Sequence, residues 1–319
     1  MYSDIRLIHH RIDDETSELL GKEVDDRIDG AHLDPDADAP ILGRIGAWAL
    51  RKYLPAAVLA GCADFAGSGQ HALLLDNLPR QRFPATPVHG FGTEADLVVT
   101  NAIHLGLIQL LGLTPYAVDY ENNGRLMRNV VPNPAAAGTT SSWGADSEFF
   151  WHTDNPHLPF GDPGTDPRPF IPRYLTFYAV RNSERVPTEI MAVETVAGRI
   201  ADDVRQQLSS TSYQVAAPDS NDVAADGGRR VLGGTAVVEQ RADGHRVRYD
   251  RGTTRALTAD ADEALRAWVA ALATAPCWQP VLSPGQFLIF DNYRVLHRRQ
   301  AFSPAATRHA RWLRRCYAS

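Results

Sequence analysis

This 319-residue chain is poor in lysine, with Lys22 and Lys52 the only two, and it has three cysteines and three methionines. Cys62, Cys277 and Cys316 are scattered, odd in number and without CxxC spacing. That argues against a disulfide framework and leaves them as small buried residues of a reduced, cytoplasmic protein. No apolar run approaches a membrane span; the longest lies around Leu54 to Ala60 and falls far short of the required length. The first twenty residues are charged from the start and contain no apolar signal-peptide core. The net charge of −6 lacks the basic footprint of a nucleic-acid binder, so the expected partner is a small molecule. Neither an internal repeat nor a low-complexity linker divides the chain, and one domain over residues 1–319 is the economical reading.

What is present begins with helical spacing over residues 1–70. Leu19, Leu20 and Val24 follow Asp14-Glu15-Thr16, and Ile45, Trp48, Ala49, Tyr53 and Val58 lie within Ile41 to Ala66, where Pro55 should break the helix. A strand over His71–Asp76 and a helix over Ala95–Leu111 come next. Short β-type runs between Gly, Pro and Asn turns then dominate: Leu126–Val131, Glu148–His152, Tyr174–Arg181, Glu189–Val196, Val231–Val238, Val247–Asp250, Gln286–Asp291 and Arg311–Tyr317. Many short strands in succession predict a mainly β protein, a sandwich or barrel, with helical decoration. Two insertions interrupt it. Residues 198–230 begin helically and pass into a polar stretch from Pro218 to Gly228, expected to act as a lid, and residues 258–274 read as an amphipathic helix.

The chemistry-bearing residues start with His152-Thr153-Asp154. In a strand, residues i and i+2 share a face, so His152 and Asp154 can reach one ion while Thr153 points away. An isolated HxD arises often by chance; a distant His297, beyond the strand-like Gln286–Asp291 run, supplies a third ligand. Two imidazoles and a carboxylate form the facial set of non-haem Fe(II) oxygenases. His157 is a rival ligand, but its prolines on either side favour a loop; the remaining histidines have no comparable context.

Farther on, Arg311-Trp-Leu-Arg-Arg-Cys-Tyr317 places Arg311, Leu313, Arg315 and Tyr317 on one strand face and Trp312, Arg314 and Cys316 on the other. Inward arginines are costly unless they meet anions, and a guanidinium matches a carboxylate bidentately. The competing reading is an exposed basic edge strand, against which large apolar residues on both faces argue.

Together, Ser147–Asp154, Asp291–Pro304 and Arg311–Arg315 resemble the clavaminate synthase-like branch of the Fe(II)/2-oxoglutarate dioxygenases, part of the superfamily that includes taurine dioxygenase. Gly124–Pro132 with Ser141-Ser142, and Glu184–Thr188, agree with it; the resemblance runs from about residue 70 to the C-terminus. It implies a distorted double-stranded β-helix of the jelly-roll or cupin kind. It further implies Fe(II) on His152, Asp154 and His297, and 2-oxoglutarate held by Arg311 with Thr188. Reaction with O2 would yield succinate and an oxidised C–H bond of a small, carboxylate-bearing amino acid or derivative, as in natural-product biosynthesis. Arg315 matches the position that meets the substrate's carboxylate, and Asp250 falls where some relatives read a basic side chain, though a turn aspartate is an equal reading. Two residues depart from the pattern. Asp154 replaces a commoner Glu, and Arg128 stands where Gln often contacts the substrate's α-amine, which a cation repels. Alternatives are desaturation or cyclisation at the same centre, a taurine-dioxygenase-like catabolic enzyme, and a non-catalytic metal-binding sensor barrel.

Overall fold

A computed structural model describes residues 4–161, 169–218, 229–242, 244–305 and 307–319. The chain does not open with a helix as expected but with strand β1 (Leu7–Arg11). Its two histidines hide any apolar alternation, and an edge strand needs only one partner: β1 pairs in parallel with β2 (Ala72–Asp76). Between them run α1 (Asp14–Ile28), α2 (Ala39–Tyr53) and α3 (Ala56–Phe65). Asp13 caps α1 by accepting from the Thr16 amide, and Pro55 separates α2 from α3. Next come α4 (Val98–Leu110), β3 (Pro115–Tyr116), β4 (Arg128–Val130), β5 (Phe149–His152), β6 (Tyr174–Arg181) and β7 (Glu189–Ala192). The expected strand to Val196 ends early, in α5 (Val193–Ala197), whose first amide bonds the Arg294 carbonyl; tertiary context overrides the β-branched composition.

The chain continues through α6 (Asp202–Leu208), β8 (Tyr213–Ala216), β9 (Val231–Thr235), β10 (Val238–Arg241), β11 (Gly244–Val247), β12 (Thr254–Ala256) and α7 (Ala259–Thr274). It closes with β13 (Phe287–Asp291), β14 (Val295–Arg299) and β15 (Trp312–Ala318). The single strand expected over Val231–Val238 is two, because β9 joins β8 and β12 while β10 pairs with β11 in a separate hairpin. The expected Val247–Asp250 strand falls instead at Gly244–Val247. Of the expected lid, residues 219–228 lie outside the described residues.

Two sheets frame the interior. A seven-stranded sheet runs β1-β2-β13-β6-β15-β3, with β4 also on β15, and a three-stranded sheet runs β5-β14-β7. Burial of both faces explains the near-continuous apolar runs of β6 and β13. Tyr174, Tyr178, Phe287, Ile289 and Cys316 pack with the N-terminal helices. Leu175, Phe177, Leu288, Phe290, Leu313 and Tyr317 form a second cluster with Ile190 of β7 and Val295 of β14. The helices dock tightly: a Cβ on Gly46 of α2 would collide with the Ala102 carbonyl of α4, and one on Gly106 would lie 2.5 Å from the Ala47 amide nitrogen. No helix among the described residues is long and apolar enough to cross a membrane.

Candidate active site

Strand β5 brings in His152, and β14 lies antiparallel to it with His297 directly opposite. The sequence suggested His297 followed a strand and turn; in the fold it sits within β14, because the turn at residues 292–294 carries the chain from the large sheet to the small one. Ligand atoms of His152, Asp154 and His297 lie within 4.8 Å of one another, and all three residues are buried. The Nε2 atoms of both histidines are 3.3 Å from Asp154 Oδ1. His152 Nδ1 donates to the Phe150 carbonyl at 2.6 Å, which fixes the tautomer and leaves Nε2 with its lone pair toward the cluster. That Nε2 is buried without an aligned hydrogen-bond partner, as expected of an atom shaped to bind a metal. Burial, then the neighbouring His152, pushes the His297 pKa down to about 4, keeping the ligand-competent neutral form. His157 does not join the cluster; it packs against Tyr120 in the following loop.

Burial alone would raise the Asp154 pKa, but His152, His297 and Arg315 outweigh it and hold the carboxyl well below its usual range. Its Oδ2 accepts from Arg315 at 2.9 Å and from the Tyr317 hydroxyl at 2.8 Å. Its backbone is clamped as well. Asn292 accepts from the Asp154 amide at 3.0 Å and donates to its carbonyl at 3.1 Å. Thr153 points away as expected, into contacts with the Tyr249 backbone.

Across the pocket, β15 presents the expected face. Phe149, Phe177, Asp154, His297, Thr188, Arg311 and Arg315 line one cavity. Arg311 donates to Thr188 Oγ1 at 3.3 Å and has no carboxylate within ion-pairing distance among the described residues. Burial, then the nearby Arg299, lowers its pKa to about 9. A guanidinium destabilised in this way is a strong receptor for an anion. Arg315 is already engaged: besides Asp154 it donates to Glu121 at 2.6 Å. Arg128, directly opposite Arg315, pairs with the same Glu121 oxygen at 3.0 Å. Burial works to raise the Glu121 pKa, yet the two arginines lower it, so it stays ionised. Asp250 faces its own turn, where Oδ1 accepts from the amides of Gly252 and Thr253 at 2.7 and 2.9 Å.

Glu121, Asn292 and Tyr317 are the site residues that sequence reasoning did not assign. Tyr317 was legible from its alternation with Arg311 and Arg315. Glu121 lies in an Asn-rich turn, and Asn292 at a sheet crossing; neither carries a local signal.

The model of the family described as "Taurine catabolism dioxygenase TauD, TfdA family" matches residues 89–317. The chain belongs to the TauD/TfdA family. Its curated relatives include enduracididine beta-hydroxylase of Streptomyces hygroscopicus, 25% identical over an alignment of 230 positions that covers 66% of this chain and 64% of that protein. This chain therefore matches a little under two thirds of that relative's length. L-lysine 3-hydroxylase of Catenulispora acidiphila is 23% identical over an alignment of 271 positions that covers 83% of this chain and 72% of that one. Among solved structures, an asparagine oxygenase with Fe(II), 3-hydroxyasparagine and succinate aligns with TM-score 0.80 at 22% identity, covering 97% of this chain and 92% of that one. The non-heme iron oxygenase OrfP, solved with Fe and alpha-ketoglutaric acid, aligns with TM-score 0.78 at 20% identity, covering 97% and 93%. These likenesses establish a shared fold: a β core with helices packed on it.

Proposed function

We propose that this TauD/TfdA-family chain is an Fe(II)/2-oxoglutarate-dependent oxygenase that hydroxylates an unactivated C–H of a small amino acid or amino-acid-derived metabolite in natural-product biosynthesis. The observation that carries it is the pairing, at one cavity, of a buried His152/Asp154/His297 cluster with an arginine, Arg311, whose guanidinium has no carboxylate within ion-pairing distance among the described residues. The named activities of the relatives, amino-acid hydroxylations, point the same way. The two sheets are read as a distorted double-stranded β-helix, and residues 1–319 as one oxygenase domain.

Iron held by these residues, with O2 and 2-oxoglutarate, would place one oxygen atom in the substrate's C–H bond and the other in succinate as CO2 departs. The chain's own residues bind and orient. His152, Asp154 and His297 would hold the iron through their buried ligand atoms, a donor set that suits Fe(II) and leaves it able to take up cosubstrate and O2. Arg311 and Thr188 grip the far carboxylate of 2-oxoglutarate. Arg315 and Tyr317 hold Asp154 Oδ2, so that Oδ1 faces the histidines, and Phe149 and Phe177 help exclude water.

The test has two readouts. Anaerobic titration with Fe(II) and 2-oxoglutarate should show one equivalent of each bound, with iron binding lost in His297→Ala. Aerobic reaction with ascorbate and a panel of amino acids should release succinate. Iron binding that survives His297→Ala would refute the assigned ligands; binding of both without succinate release from any panel member would favour a sensor.

A further inference from the structure

Beyond the metal ligands, an unbalanced charge lies at and just behind the cavity wall, where Arg315 and Ser142 line the cavity and Arg128 and Glu121 bond to them. Arg128 and Arg315 are cross-strand partners on β4 and β15, so their side chains leave the same face of the sheet. Both guanidinium groups converge on one atom, Glu121 Oε1, at 3.0 and 2.6 Å. Arg315 has a second anion in Asp154, but that carboxylate belongs to the metal cluster. The other contacts of Arg128 are neutral: the Ser142 hydroxyl at 3.1 Å and the ring of Trp143, 4.4 Å from the guanidinium carbon. Its Nε is buried without a partner. Two buried guanidinium groups thus share one carboxylate, which leaves one positive charge over.

At the metal cluster and Arg311 the charges would close once the cofactors of the proposed function are bound. A divalent iron and Arg311 are offset by Asp154 and the two carboxylates of 2-oxoglutarate. Arg299 and Glu184, both close to Arg311, add one charge of each sign. Arg298 stands between two carboxylates, Glu148 and Glu189, which together exceed its charge by one. Within the group of Arg128, Arg315 and Glu121 the surplus is positive, and it adjoins the cavity through Arg315 and through Ser142, the hydroxyl partner of Arg128.

Resting on the oxygenase reading above, we propose that the substrate is a short α-amino dicarboxylic acid of net charge −1, and that Arg128 sets this preference. One carboxylate meets Arg315, the other meets Arg128, and the ammonium group meets Glu121. Because both arginines touch the same Glu121 oxygen, their donor atoms are close enough for a short dicarboxylate to span. A neutral zwitterion leaves the surplus uncompensated, and a basic amino acid enlarges it inside a buried, weakly screened wall.

The experiment is calorimetric titration of the anaerobic Fe(II) protein at saturating 2-oxoglutarate, with L-aspartate, L-glutamate, L-glutamine, N-acetyl-L-alanine and L-lysine as probes. One of the two acidic amino acids should bind about tenfold or more tightly than L-glutamine, as expected for one additional charge-assisted pair, with L-lysine weakest. In Arg128→Gln that ratio should fall to near one, and in Arg128→Lys part of it should return. Several results would overturn the proposal: L-lysine or L-glutamine binding as well as the acids, neither acid binding, or the ratio persisting in Arg128→Gln. Equal binding of N-acetyl-L-alanine would refute the dicarboxylate by showing that one carboxylate suffices. A protein that takes up neither Fe(II) nor 2-oxoglutarate would instead refute the oxygenase reading, and this proposal with it.

Discussion

Arg311 and Arg314 stand three residues apart, both buried, yet they face opposite sides of the large sheet and live in opposite circumstances. Arg314, fully buried against the helices, donates to Glu94 at 2.6 and 3.0 Å, to Asn129 at 2.7 Å and to Asn101 at 2.7 Å. The Arg311 guanidinium, on the cavity side, has Thr188 and no carboxylate within ion-pairing distance among the described residues; Glu184 accepts only from the Arg311 backbone amide. A structural arginine closes its charge within the fold; a binding arginine leaves it for a ligand to close. The same residue type is thus saturated by partners on one face and, on the proposed function, left for a ligand on the other, and only the partners distinguish them.

The contrast can be broken most forcefully at Arg314. Arg314→Met should destabilise the protein by about 3–5 kcal/mol, since it strands Glu94 and two buried amides, and urea unfolding measures it. Arg311→Gln should do the reverse, leaving the unfolding midpoint unchanged or slightly raised while weakening 2-oxoglutarate binding by roughly a hundredfold. Equal losses of stability in the two variants would erase the distinction.

A subtler test uses His104, which shares the helix face with Arg314 and donates to or accepts from Thr176 at 2.7 Å. Burial, then Arg314, pushes its pKa down to about 3. A histidine whose folded pKa is depressed is neutral in the fold but takes up a proton in the unfolded chain below about pH 6.5. Its contribution is therefore complete above that pH and is lost progressively as the pH falls toward about 3. Between pH 7 and pH 5 the wild type should lose about 2 kcal/mol more stability than His104→Gln; parallel pH profiles would refute this. The smallest effect is expected at Asp250, whose carboxylate its own turn already uses. Asp250→Ala should cost about 1 kcal/mol of stability and leave the KM for substrate unchanged; a large rise in KM would restore it to the substrate site.

How far the sequence reached follows from the range of each signal. Alternation along Arg311–Tyr317 placed four side chains on the cavity face without any tertiary knowledge, because the period of a strand is two. The HxD spacing did the same for His152 and Asp154. The strands β6 and β13 were visible as apolar runs, whereas β1, β3, β8 and β12 were not: short or edge strands bury too little to leave a pattern. The role of Arg128 was legible only as a conflict. Its position beside Arg315 was implicit, but that it shares Glu121 with Arg315 depends on a turn some seven residues away and on two strands pairing across nearly two hundred residues.

By itself, then, the sequence determined the chemistry of the parts: two histidines and an aspartate suited to hold a metal, a run of arginines alternating across a strand, and a fold made mostly of short strands. Those follow from local periodicity, which needs no partner. Tertiary structure alone decided which arginine is satisfied and which waits, that His297 lies opposite His152, and that Asn292 and Tyr317 clamp Asp154. A charge has no fixed role until the groups around it are known, and in a folded chain those groups come from elsewhere in the sequence.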